Sequence, residues 1–188
     1  KKWADNIIAN GVPHNNWDLL QARYIMNVGL VLEDNKEYAD GKGREYYIDY
    51  VLNRSGIRQW SLTRLADYGF DAETGIWAEC PGYSSVVIND YANFANQFDN
   101  NLHYDLVKAM PVLSKAVAAT PQYLFPNRMI CGFGDTHPGY LNTNFFIRMI
   151  QNAQANGKKE QEDYFTALLK CLNPETDADK GENKNVLV

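Results

Sequence analysis

The chain has 188 residues, 45% of them hydrophobic, 13% aromatic and 22% charged, with a formal net charge of -5. That length suits one domain with a sizeable core, and the composition excludes global disorder. The acidic balance and the lack of any basic block argue against a nucleic-acid surface, and no apolar run reaches the roughly 18 residues of a membrane-spanning helix.

In chain order the dominant period is helical. From Asn16 to Glu33, Trp17, Leu20, Tyr24, Val28 and Val31 recur at steps of three or four, and Leu19, Ile25, Met26 and Leu30 fill a second face. A helix apolar on most sides is expected to be buried among other helices. Asn15 or Asn16 is its natural N-cap. A second helix is expected in part of Glu37 to Asn53, weakened by Gly41 and Gly43, and a third over Arg58 to Tyr68. A turn-rich loop, Gly69 to Tyr83, precedes a clear helix carrying Val87, Tyr91, Phe94 and Phe98. Another spans Tyr104 to Ala119, with Pro111 inside it as a kink or a new first turn. The stretch Thr120–Tyr140 is rich in Pro and Gly and is expected to be irregular. Helices over Asn142 to Asn156 and Lys158 to Leu172 follow. The pattern is all-α, in helix pairs without a strict repeat. Residues 1–172 form the domain, and 173–188 read as a polar tail or linker. Cys80, Cys131 and Cys171 lack zinc-ligand spacing and are expected to be buried free thiols.

Three places carry chemistry-bearing residues. In "GVPHNNWDLL", His14 is a residue type suited to proton exchange and Asn16 can offer an amide to a carboxylate or hydroxyl; N-capping is the simpler role for the asparagines. In "ETGIWAECPGYSSVVINDY", Ser84 or Ser85 can cap the helix, which places Tyr83 at a helix entrance, where N–H groups and the positive dipole end favour anions. Packing on the helix is the plainer reading of Tyr83, and an exposed loop carboxylate that of Glu79. In "CGFGDTHPGY", Asp135 stands near His137 and could orient it; no metal motif or dinucleotide fingerprint is present.

The ordered pieces "NNW", "GLVLED", "DAETGIWAECPGYSSVVINDY", a helix with an internal proline, and "LFPNRMICGFGDTHPGY" resemble the helical domain of heparinase II/III-like polysaccharide lyases, relatives of the alginate lyases. The likeness runs from Val12 to Leu172. Thr74 and Cys80 depart from it, standing where Asp and a small residue are usual. The resemblance implies an incomplete (α/α) toroid built from helical hairpins and β-elimination on uronic-acid-containing glycans, whether glycosaminoglycan or alginate. It implies Asn16, Tyr83 and His137 as catalytic residues, and His14, Asn15, Trp77, Glu79 and Arg128 as substrate-binding ones. It calls for no metal or other cofactor and for an acidic polysaccharide or oligosaccharide as partner, with no nucleic acid and no membrane. It also implies a periplasmic or secreted setting, although no signal peptide opens this chain, and a downstream β-sandwich domain if the chain is a fragment. Two rivals stand beside it. A glycoside hydrolase on a similar toroid would use a pair among Asp71, Glu79 and Asp135. A non-catalytic helical protein would bind glycans through its aromatics.

Overall fold

The computed structural model describes residues 1–173, so most of the expected tail at 173–188 lies outside the described residues. Among them are nine α-helices: α1 Lys2–Asn10, α2 Asn16–Val31, α3 Arg44–Leu52, α4 Leu62–Gly69, α5 Pro81–Leu102, α6 Leu106–Ala109, α7 Val112–Ala119, α8 Asn144–Ala155 and α9 Lys159–Leu172. The described residues form no β-strand beyond isolated bridges, and the fold is all-α as expected. No helix among them is long and apolar enough to cross a membrane.

The long helix α5 sits at the centre and packs against α2 on one side and α8 on the other. Its stripe of Val87, Tyr91, Phe94 and Phe98 is fully buried, as its period requires. The pairs α2 with α3 and α8 with α9 are hairpins of consecutive helices, and α1 lies on α2. The turn from α8 to α9 uses Gly157 at φ 65°, a left-handed conformation open to glycine without a Cβ clash.

Several expectations are corrected. An N-terminal helix, α1, precedes the first one expected. Helix α2 is not buried all round: Leu19, Ala22, Ile25, Met26 and Gly29 face the core, whereas Trp17, Tyr24 and Val31 are exposed. The second expected helix forms only from Arg44, because Asn35 to Glu37 make a separate 3-10 turn and Asn35 Oδ1 accepts from the Gly43 and Tyr46 N–H groups. The third starts at Leu62, capped by Ser61, whose hydroxyl accepts from Arg64 N–H. Of the two readings of Pro111 the break holds: it divides Tyr104–Ala119 into α6 and α7, since it cannot donate to the α6 ladder. The cysteines are free, but Cys80 and Cys131 are half-buried and Cys171 is exposed.

A buried polar knot ties the start of α2 to the segment before α4. Asp18, 0% exposed, accepts from the backbone N–H of Trp60 and of His14, and from the Gln59 side-chain amide. Burial pushes its carboxyl up to about 7 against the pull of those donors and of Arg64.

Candidate functional site

The loop before α5 is an ordered hairpin. Phe70 and Trp77 face each other in an antiparallel bridge, and Asp71 N–H donates to the Ile76 carbonyl at 2.8 Å. Asp71 Oδ1 accepts from the Thr74 N–H and hydroxyl, both at 2.7 Å, which closes the turn. Trp77 is only 3% exposed and belongs to the core. Its ring lies flat against Gly69, where an added Cβ would fall 2.1 Å from Trp77 Cζ3, and edge-on to Phe70 at 4.9 Å. The expectation that Trp77 lines a cleft is therefore corrected: burial against α4 leaves no ring face for a sugar. Its indole N–H donates to Glu79 at 2.6 Å and so holds that exposed carboxylate.

Helix α5 starts at Pro81, earlier than a serine cap would place it. Proline suits the first helical position because it has no N–H to leave unpaired. Ser84 and Ser85 are buried inside the helix, and the cap is supplied from far along the chain: Gly82 N–H donates to Thr136 Oγ1 at 2.9 Å. This places Tyr83 in the first turn, half-buried, with its hydroxyl donating to Asp135 Oδ2 at 3.0 Å. That bond and the charge of Asp135 raise the Tyr83 phenol above its ordinary value, so the phenol keeps its proton at neutral pH. Beside it, burial pushes the Cys80 thiol up. Hydrogen bonds from the Thr136 hydroxyl and from the Tyr83, Asp135 and Gly82 N–H groups outweigh burial and lower the thiol overall.

The remaining expected residues are dispersed around this centre. His137 is exposed on the same loop as Asp135. Arg128 is exposed in the left-handed region at φ 66°, and its guanidinium reaches the Leu172 carbonyl at 3.4 Å. His14, at φ 60°, rests its ring edge-on against Trp60 at 4.6 Å. Asn15 is the N-cap of α2, its side chain accepting from Trp17 N–H at 2.9 Å, and Asn16 is the first residue of that helix. Among the described residues no hydrogen bond or ring contact joins His14, Asn15 or Asn16 to Tyr83. Nor do any three of His, Cys, Asp and Glu gather there as a metal ligand set would.

Asp135 and Thr136 are the residues that sequence reasoning placed least well. Asp135 reads as a partner of His137, two residues away, but the fold gives it to Tyr83. Thr136 carries no signal at all, since its role is to cap a helix that begins 55 residues earlier.

The family model described as "Endo-acting ulvan lyase 2nd domain" matches residues 73–187. That range holds Glu79, Tyr83, Arg128, Asp135 and His137, and leaves His14, Asn15 and Asn16 outside. Neither the curated proteins nor the solved structures provide a match. With well over half its residues inside this match, the chain belongs to the endo-acting ulvan lyase second-domain family, a family of polysaccharide lyases.

Proposed function

We propose that this chain forms the helical part of a lyase that cleaves a uronic-acid-containing polysaccharide by β-elimination, with ulvan, a sulfated polysaccharide with uronic acids, as the first candidate substrate. The observation that carries the reading is the Tyr83–Asp135 hydrogen bond at an open helix entrance. A phenol held protonated there is a ready acid for the leaving oxygen.

In this reading a base removes the C5 proton of the uronate, the C4–O bond breaks, and a C4=C5 double bond forms. Tyr83 gives its proton to the departing O4 and regains one through solvent, which takes up the C5 proton that the base releases. His137, on the loop that holds Asp135, is the residue assigned to take the C5 proton. The uronate carboxylate must be neutralised for that proton to leave. The Asn16 amide and its neighbours His14 and Asn15, at the start of α2, are assigned to this end of the site, and Arg128 to an anionic group on the adjoining sugar. Fixed donors of this kind contribute on the order of 10²–10³ in rate each. Kinship with the heparinase II/III-like lyases would make the α2–α3 and α8–α9 hairpins part of an incomplete toroid. It would also imply a β-sandwich domain in the longer protein and a periplasmic or secreted setting.

The hydrolase alternative has less support. Each of its candidate carboxylates already has a hydrogen-bond partner, Asp71 in Thr74, Glu79 in Trp77 and Asp135 in Tyr83.

The test is incubation of the protein with ulvan, heparan sulfate, hyaluronan, chondroitin and alginate, following the ultraviolet absorbance of an unsaturated uronate. Absorbance on ulvan supports the reading. Saturated products, or no cleavage of any of the five, overturns it.

A further inference from the structure

The segment Thr120–Tyr140 is not irregular throughout. Phe125 N–H donates to the Met129 carbonyl at 2.9 Å and Arg128 N–H to the Phe125 carbonyl at 2.8 Å, which closes a tight turn over Pro126 and Asn127. Arg128 occupies the left-handed position that ends such a three-residue hairpin loop. Leu124 bridges Ile130, and Met129 bridges Tyr140, both antiparallel. The register therefore puts Phe125, Met129 and Tyr140 in one cross-strand row. Residues directly opposite in antiparallel pairing share a face, so their side chains project from the same side. The two outer rings are exposed, Phe125 by 52% and Tyr140 by 78%, and they stand two strand spacings apart, about 10 Å. The same loop continues through Asp135 and Thr136 into the Tyr83 site.

Two exposed rings aligned in one row offer flat apolar faces at a fixed spacing. The neighbours define its chemistry. Arg128 lies in the turn that joins Phe125 to Met129 and takes part in no ion pair among the described residues. An exposed arginine is the group best suited to a carboxylate or sulfate ester. Holding a non-glycine residue at φ 66° costs about 1 kcal/mol, a cost a glycine would avoid. A greasy protein partner would leave that charge unpaired, whereas an acidic glycan satisfies both features: pyranose C–H faces on the rings and an anionic substituent on the guanidinium.

We infer that Phe125, Met129 and Tyr140 form a sugar-stacking platform beside the Tyr83 site, with Arg128 holding the anionic group of a neighbouring sugar residue. The platform spans a length comparable to a disaccharide and binds an acidic polysaccharide. This inference rests on the polysaccharide reading above, but not on the catalytic role of Tyr83.

The experiment measures binding of ulvan and of chemically desulfated ulvan to the protein by affinity electrophoresis and calorimetry. The wild type is compared with Phe125→Ala, Tyr140→Ala, the double variant and Arg128→Gln, with Trp3→Ala as an exposed-aromatic control. Circular dichroism checks folding. Each ring removed should weaken binding roughly tenfold, the worth of about 1.4 kcal/mol of stacking, while Trp3→Ala has no effect. If Arg128 holds sulfate, Arg128→Gln matters only for the sulfated polymer; if it holds the uronate carboxylate, it matters for both. Unchanged binding in the folded double variant overturns the platform, as does failure of the wild type to bind either polymer. Cleavage abolished by Tyr83→Phe together with unchanged binding in the double variant would sink the platform and keep the lyase. Platform-dependent binding with no cleavage by any form would do the reverse.

Discussion

The Tyr83 hydroxyl donates to Asp135 across 3.0 Å, joining the first turn of α5 to a loop 52 residues further along the chain. Immediately beside it, Thr136 accepts from Gly82 N–H. The two contacts fasten the same loop to the same helix end, so the Tyr83 phenol and the Asp135 carboxylate are positioned by the device that caps the helix.

Tyr83→Phe removes the proposed acid without opening a cavity. Lyase activity, read as unsaturated-uronate absorbance, should fall roughly 10²–10⁴-fold while the melting temperature stays nearly unchanged. Full activity in this variant would sink the assignment. In Asp135→Asn the charge that raises the Tyr83 phenol is gone, so its pKa drops towards the ordinary value and the alkaline limb of the rate profile moves to lower pH.

Thr136→Val replaces the hydroxyl with a methyl group of similar size. Gly82 N–H loses its partner, and stability should fall by about 1 kcal/mol in chemical denaturation. The Cys80 thiol also loses one of the donors that lower it, so its alkylation by iodoacetamide should require higher pH than in the wild type. An unshifted alkylation profile would show that Thr136 does not act on Cys80.

Asp18 should make the protein pH-sensitive. Its folded value of about 7 lies above its ordinary 3.8, so the folded state holds the proton more tightly. The stability this supplies is fully present below the unfolded value and is lost as pH rises through the folded one. Melting temperature should fall between about pH 4 and 7, and Asp18→Asn should flatten that slope. Part of the slope will survive, because burial also raises Asp90. Asp18→Ala strands the buried Trp60 N–H and the His14 N–H, and should cost about 2–5 kcal/mol.

Gly69→Ala drives a methyl into the Trp77 ring and should cost about 1–3 kcal/mol, measured by denaturant unfolding. Trp77→Ala should cost about 3–5 kcal/mol, because it empties the core between α4 and the hairpin. If Trp77→Ala left stability intact and weakened only glycan binding, the burial of this ring in solution would be refuted.

Arg128→Gly should move stability and binding in opposite directions. Glycine accepts the left-handed turn without a Cβ clash, worth about 1 kcal/mol, while the anion partner is lost. Unfolding curves and ulvan affinity measured on the same sample read both changes.

Periodicity alone determined the all-α class and the buried stripe of α5, because a step of three or four residues is a local property of the chain. It could not choose between the two apolar stripes of α2. Trp17, Tyr24 and Val31 are as greasy as Leu19, Ile25 and Met26, and only the positions of α3 and α5 decide which stripe is covered. The order of short motifs placed the chain among polysaccharide lyases and picked out Tyr83. What the tertiary structure decided are the partners. Trp77 left the candidate site for the core because Gly69 leaves room for its ring, Asp135 went to Tyr83 rather than His137, and Phe125 came into line with Tyr140. Each of these is a contact between segments distant in sequence or a register between bridged loop segments, and neither leaves a period in the chain that forms it.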